Sequence, residues 1–127
     1  MTTMTYPIVG MKFRPPADTV VKTLRVKTPL TLMAEPMNPY DSNAIAVWVS
    51  LEHVNVAEVD RLTRGKDQSW WVGQHSLQLG YIPKEVAGHL RRKGFPTQHE
   101  INAEFYYTFG SNIPHVKFDF EPEENGK

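Results

Sequence analysis

Apolar and polar positions alternate in short runs along most of the chain, and the breaks coincide with proline, glycine and asparagine. Tyr6 to Phe13 (YPIVGMKF) predicts a first strand, with Gly10 as a bulge or a point of close backbone approach, ended by Pro15 and Pro16. Val20 to Lys27 predicts a second strand of partial alternation, and Leu30 to Ala34 a third beyond Pro29. Asn38-Pro39, Asp41 and Ser42 mark a turn, after which Asn43 to Val49 runs as a largely apolar strand, with Trp48 expected in the core. Leu79 to Ile82 predicts a short strand that ends at Pro83, whose fixed φ suits the first turn of a helix. Lys84 to Lys93 then places Val86, Ala87 and Leu90 on one face, basic residues in the last turn and Gly94 at the end, which predicts a helix. Glu100 to Phe109 and His115 to Phe120 complete the strands. In the first of these Phe105 and Tyr107 should face one side and Tyr106 the other.

The pattern is weakest over residues 50–78, which mix alternation with Arg61, Arg64 and Lys66, with Gly65 and with the pair Trp70-Trp71. This segment predicts an extended hairpin, Val54 to Leu62 against Ser69 to Gln74, or else an exposed insertion that caps the rest. The sum is a mainly β domain of the small-barrel kind, with about six strands and one or two short helices. A chain of 127 residues with 40% hydrophobic content builds one core, so a single domain is expected over residues 1–120, with 121–127 (EPEENGK) as a frayed acidic tail. No apolar stretch approaches the roughly 20 residues that span a bilayer, and the N-terminus lacks the features of a signal peptide, so a soluble intracellular protein is expected. The absence of cysteine excludes disulfides, thiolate zinc sites and cysteine nucleophiles.

Charge alters this picture only locally. The net charge is zero, which argues against coating of nucleic acid by bulk electrostatics. Its distribution is blocky: residues 1–33 carry +4, 34–60 carry −5, 61–99 carry +5 and 100–127 carry −4. If the basic blocks share a face, they attract phosphate there without making the whole molecule sticky. The five histidines form no close ligand pair, and phosphate-loop and dinucleotide signatures are absent, so neither a metal nor a cofactor is expected. Glu35 with Asp41 is the one carboxylate pair considered for catalysis, and nothing supplies a metal or nucleophile to work with it, so no enzyme is expected.

The run Glu35 to Ile45 (EPMNPYDSNAI) is the densest in candidate chemistry. Pro36 and Pro39 restrict the backbone, so Asn38, Tyr40, Asp41 and Asn43 are presented with little loss of entropy on binding. Tyr40 offers a ring for stacking, Asp41 accepts from a hydroxyl, and the asparagines donate and accept. The alternative stays open that Asp41 and Asn43 simply cap their own turn.

The strings IVGMKF (8–13), AEPMNPYDSNAIAV (34–47), LGYIPKEVAGHL (79–90) and FG (109–110) resemble the HIRAN domain, in the order that family carries them, with residues 50–78 as the divergent insert. HIRAN domains occur fused to helicase-type remodelling enzymes and as standalone proteins of bacteria and phages. The expectation here is the standalone kind, in the cytoplasm of a bacterial or phage-infected cell. The resemblance implies a modified OB-like barrel that captures the 3′-hydroxyl end of single-stranded DNA. Carried over by position, it implies that Asp41 bonds the terminal hydroxyl with Tyr40 beside it. It implies that Lys12 and Phe13 supply a cation and an aromatic on the first strand, that Lys84 meets backbone phosphate, and that Phe109 packs near a terminal base. Two positions depart from the pattern. Arg14 replaces a second aromatic with a guanidinium that can stack or bind phosphate, and Tyr81 stands where a polar, basic-leaning side chain is expected. The expected DNA-binding set is therefore Lys12, Phe13, Arg14, Asn38, Tyr40, Asp41, Asn43, Tyr81, Lys84 and Phe109, serving repair, replication or phage DNA metabolism. The alternative is a protein-interaction or accessory module acting on a host or replication protein, motivated by the neutral charge, the Trp-bearing insert and the acidic tail.

Overall fold

The computed structural model describes residues 2–66, 73–95, 100–107 and 113–120. The strands are β1 (Thr2–Pro7), β2 (Pro29–Ala34), β3 (Ile45–Ser50), β4 (Ser76–Tyr81), β5 (Glu100–Tyr107) and β6 (Pro114–Phe120), and the helices are α1 (Ala17–Thr23), α2 (Val56–Thr63) and α3 (Lys84–Arg92). The strands form one sheet in the order β1-β6-β5-β2-β3-β4, with every neighbouring pair antiparallel. Period-two burial is what the strand sequences dictate: Leu30 and Leu32, then Ile45, Val47 and Val49, then Val116 and Phe118 turn inward. Phe105 is fully buried with Tyr107 packed edge-on against it, while Tyr106 on the other face lies under the Lys117 ammonium, as the alternation in β5 predicts. The same core takes in Val20 and Val21 of α1, Val59 of α2, and Ala87 and Leu90 of α3. No helix among the described residues is long and apolar enough to cross a membrane.

Three predicted elements are different in the structure. The first strand starts at Thr2 and ends at Pro7, because Gly10 adopts φ 81° and turns the chain into a single 3-10 turn, Met11–Phe13. Val20 to Lys27 is not a strand: Ala17, Val20, Val21 and Leu24 lie at helical spacing and are all buried, so α1 occupies the first part. Lys27, at φ 76°, belongs to the turn that follows. Val54 to Leu62 is not a hairpin arm either. A 3-10 turn at Leu51–His53 leads into α2, which Asn55 caps by accepting from the Glu58 N–H at 3.1 Å. Val54 and Val59 are buried, so this segment is part of the core and not an exposed cap. The proposed second arm, including Trp70-Trp71, lies largely outside the described residues, as do Phe109 and the acidic tail. Trp48 is half-buried and stands opposite Gln78 across the β3–β4 pair, outside the core cluster.

The sheet does not close into the expected barrel. Its two edges meet at one place, where Val9 and Tyr81 exchange N–H···O bonds of 2.9 Å each way. Continued pairing is prevented because Gly10 bends the chain away immediately afterwards. That single contact also requires Gly80, since a Cβ at this position would collide with the Val9 carbonyl oxygen and stand 3.1 Å from Ile8 Cγ2. The joint therefore fixes the segment carrying Arg14 against the end of β4.

Candidate functional site

The loop between β2 and β3 is closed at its base by the Glu35 N–H donating to the Ala44 carbonyl at 2.9 Å. Inside it, Asn38 is the hub. Its Oδ1 accepts from the Tyr40 N–H at 2.8 Å and the Asp41 N–H at 3.1 Å, and its Nδ2 donates to Glu35 Oε1 at 2.9 Å. Asp41 Oδ1 accepts from the Asn43 N–H at 2.9 Å. The turn-capping role of Asp41 is thus real, and Asn43 contributes its backbone N–H while its side chain is exposed. One carboxylate oxygen of Asp41 suffices for the cap, and the other makes no hydrogen bond among the described residues. With its polar groups spent on the loop, Asn38 holds the crest in shape. Tyr40 stands on that crest 93% exposed, its ring packed on nothing in the core.

A second set of bonds joins this loop to two other segments. The Tyr81 hydroxyl donates to Glu35 Oε1 at 2.9 Å and accepts from Arg14 Nη2 at 2.9 Å. The Arg14 guanidinium carbon is also 5.5 Å from the Tyr81 ring centroid. Arg14, Tyr81, Glu35 and Asn38 therefore form one connected chain of polar contacts through the end of the 3-10 turn, β4 and the loop.

These segments enclose a cleft of about 440 Å³. Arg14, Asn38, Tyr40, Asp41, Tyr81 and Lys84 of the predicted set line it, together with Val9, Pro39, Ala44 and Ile82. The structure thus brings six of the predicted residues to one place. Lys12 and Phe13 are exposed on the 3-10 turn outside the cleft wall, with the Lys12 ammonium 5.1 Å from the Phe13 ring centroid. The charged side chains on the wall are Arg14, Lys84 and Asp41, so the cleft offers cations and one acceptor side by side. Lys84 is the first residue of α3, where the helix dipole disfavours a cation. Glu35 is not on the wall, and its Oε1 is taken up by Asn38 and Tyr81, so this carboxylate ties the loop to β4. Among the described residues no group of three metal-ligating side chains converges.

The apolar floor of Val9, Ala44 and Ile82 is absent from the predicted set. Its only signal in the sequence is adjacency, because Val9, Ala44 and Ile82 each sit within a string that also carries a polar candidate. A smaller groove of about 170 Å³ adjoins the cleft, sharing Arg14 and running along Trp48, Gln74, Ser76 and Gln78. The Trp48 indole Nε1 is buried with no acceptor among the described residues, an arrangement that costs about 1–3 kcal/mol.

Residues 1–112 match the HIRAN domain family. Among solved structures the fold is similar to the HIRAN domain of human HLTF, with a TM-score of 0.50 and 19% sequence identity over 91% of this chain and 74% of that one. A protein from Lactobacillus plantarum is similar with a TM-score of 0.49 and 19% identity, over 93% of this chain and 98% of that one. No curated protein matches the sequence.

Proposed function

The chain belongs to the HIRAN domain family, and on that premise we propose that its cleft receives the 3′ end of a single DNA strand, with the terminal hydroxyl at Asp41. The observation that carries this reading is the division of labour at Asp41: one oxygen holds the turn while the other is left for a ligand, in a cleft whose remaining charges are cations. A carboxylate accepts a hydrogen bond from a free hydroxyl and repels a terminal phosphate, so it discriminates between the two ends. Arg14 and Lys84 suit the phosphodiester charges of the strand, and the unfavourable placement of Lys84 on the helix dipole is offset when an anion lies beside it. Tyr40 presents a free ring on which a base can stack.

The test is fluorescence anisotropy with 5′-labelled oligonucleotides that end in a 3′-hydroxyl or a 3′-phosphate. The phosphate should weaken binding about tenfold, the scale of one charge-assisted hydrogen bond. Asp41→Asn keeps an acceptor for the Asn43 N–H and should erase that difference. Equal affinity for the two ends in the wild-type protein would reject end recognition, and no binding at low salt would reject DNA as the ligand.

A further inference from the structure

Resting on that reading, we propose that the strand continues from the end cleft past Arg14 into the groove along Trp48 and Gln78, which forms a second nucleotide subsite with Arg14 clamping the phosphate between the two. Among the described residues Arg14 alone lines both recesses, so a strand that runs from one to the other passes its guanidinium. Its position is fixed by the Tyr81 hydroxyl, itself held by Glu35, and by its seat over the Tyr81 ring. Only Nη2 is engaged in that contact, and the remaining guanidinium donors make no hydrogen bond among the described residues, leaving a fork of the shape that grips phosphate oxygens.

The groove beyond has the chemistry of a nucleotide site. Trp48 and Gln78 are cross-strand partners, so a flat ring and a primary amide stand side by side on the outer face of the sheet. The Gln78 amide donates a long bond, 3.4 Å, to the Gly80 carbonyl, and its oxygen has no partner among the described residues. Ser76 and Gln74 add further donors and acceptors along the wall. Tyr81 is accordingly a positioning residue: its hydroxyl orients Arg14, and its effect on binding passes through that side chain.

Single methylphosphonate linkages, which remove one phosphate charge, locate the clamp in the full-length chain. Neutralising the last linkage of a 3′-hydroxyl oligonucleotide should weaken wild-type binding about tenfold, and neutralising a linkage far upstream should not. Arg14→Gln should abolish that sensitivity and lower the slope of log affinity against log salt by about 0.7, the value for one contact to a single strand. Arg14→Lys should retain the salt slope while losing affinity, and Tyr81→Phe should weaken binding and blunt the sensitivity without altering the slope fully. Trp48→Phe and Gln78→Ala should weaken strands of two or more nucleotides about tenfold and leave a 3′-hydroxyl mononucleotide, which fills the end cleft alone, unaffected. Melting temperatures close to wild type establish that each variant is folded. A wild-type protein that binds 3′-hydroxyl ends but responds to Arg14→Gln with an unchanged slope and unchanged methylphosphonate effect overturns this inference alone. So do Trp48 and Gln78 variants that weaken the mononucleotide and the longer strands equally. A wild-type protein that binds no oligonucleotide overturns this inference together with the reading beneath it.

Discussion

Gly80→Ala is the most informative single change, because one added carbon opposes the one joint between the sheet edges among the described residues. The new Cβ would collide with the Val9 carbonyl oxygen and crowd Ile8 Cγ2 at 3.1 Å, and Ile8 is 3% exposed and unable to yield into solvent. Relief requires Val9 to withdraw, which breaks its paired 2.9 Å hydrogen bonds with Tyr81. Two backbone bonds at about 0.5–1.5 kcal/mol each, with overpacking of about 1–3 kcal/mol, place the loss near 2–6 kcal/mol. At this chain length that corresponds to roughly 8–22 °C in Tm. Val9 lines the cleft and Arg14 follows it in the same segment, so oligonucleotide affinity should fall even at temperatures where the variant is folded. Gly88→Ala is the matched control: in α3 its Cβ meets only Arg92 Nη1 at 3.5 Å, and the helix should gain about 0.5–1 kcal/mol. Differential scanning calorimetry of the two variants, with binding titrations on the same samples, checks the argument. A Gly80→Ala protein that melts with the wild type would refute the claim that this joint bears on the fold.

Val59→Ala removes the fully buried anchor of α2 and should cost about 1.5–3 kcal/mol, measured as a lower urea midpoint. Tyr40→Ala should do the reverse of a core substitution, leaving stability within about 0.5 kcal/mol because the side chain is 93% exposed, while single-strand affinity drops about tenfold in the anisotropy titration. Burial raises the pKa of the Tyr107 phenol above the ordinary 10.0, and its hydroxyl donates to the Val21 carbonyl. With the folded value above the unfolded one, its contribution is complete below pH 10.0 and is lost as pH rises through the folded value. Tyr107→Phe should flatten that alkaline decline in urea midpoints, and an unchanged profile would assign the decline to other groups.

How far the sequence discloses this molecule depends on the range over which each interaction acts. The strands from Leu30 to Ala34, around Ile45 to Val49 and along Phe105 to Tyr107 are legible because alternation is a local property that burial then follows. Helix α3 is legible through Pro83 and Gly94 at its ends. Helix α1 is not, since two adjacent valines mimic a strand unless Ala17, just past the prolines, is counted with Leu24. Helix α2 buries one residue, so its apolar period is faint, although Asn55 and Glu58 spell its cap in plain view. The 35–44 loop could be read as rigid because its bonds span ten residues or fewer. Closure of the sheet could not, since it turns on whether two distant edges continue to pair after Gly10. The same limit governs Arg14 and Tyr81. In the sequence they stand 67 positions apart with nothing to connect them, and in the structure they are one feature, a cation seated on a ring whose hydroxyl bridges it to Glu35. This wall of the cleft is thus one ring and one cation that hold each other in place, which is why substituting either residue should be felt at the other.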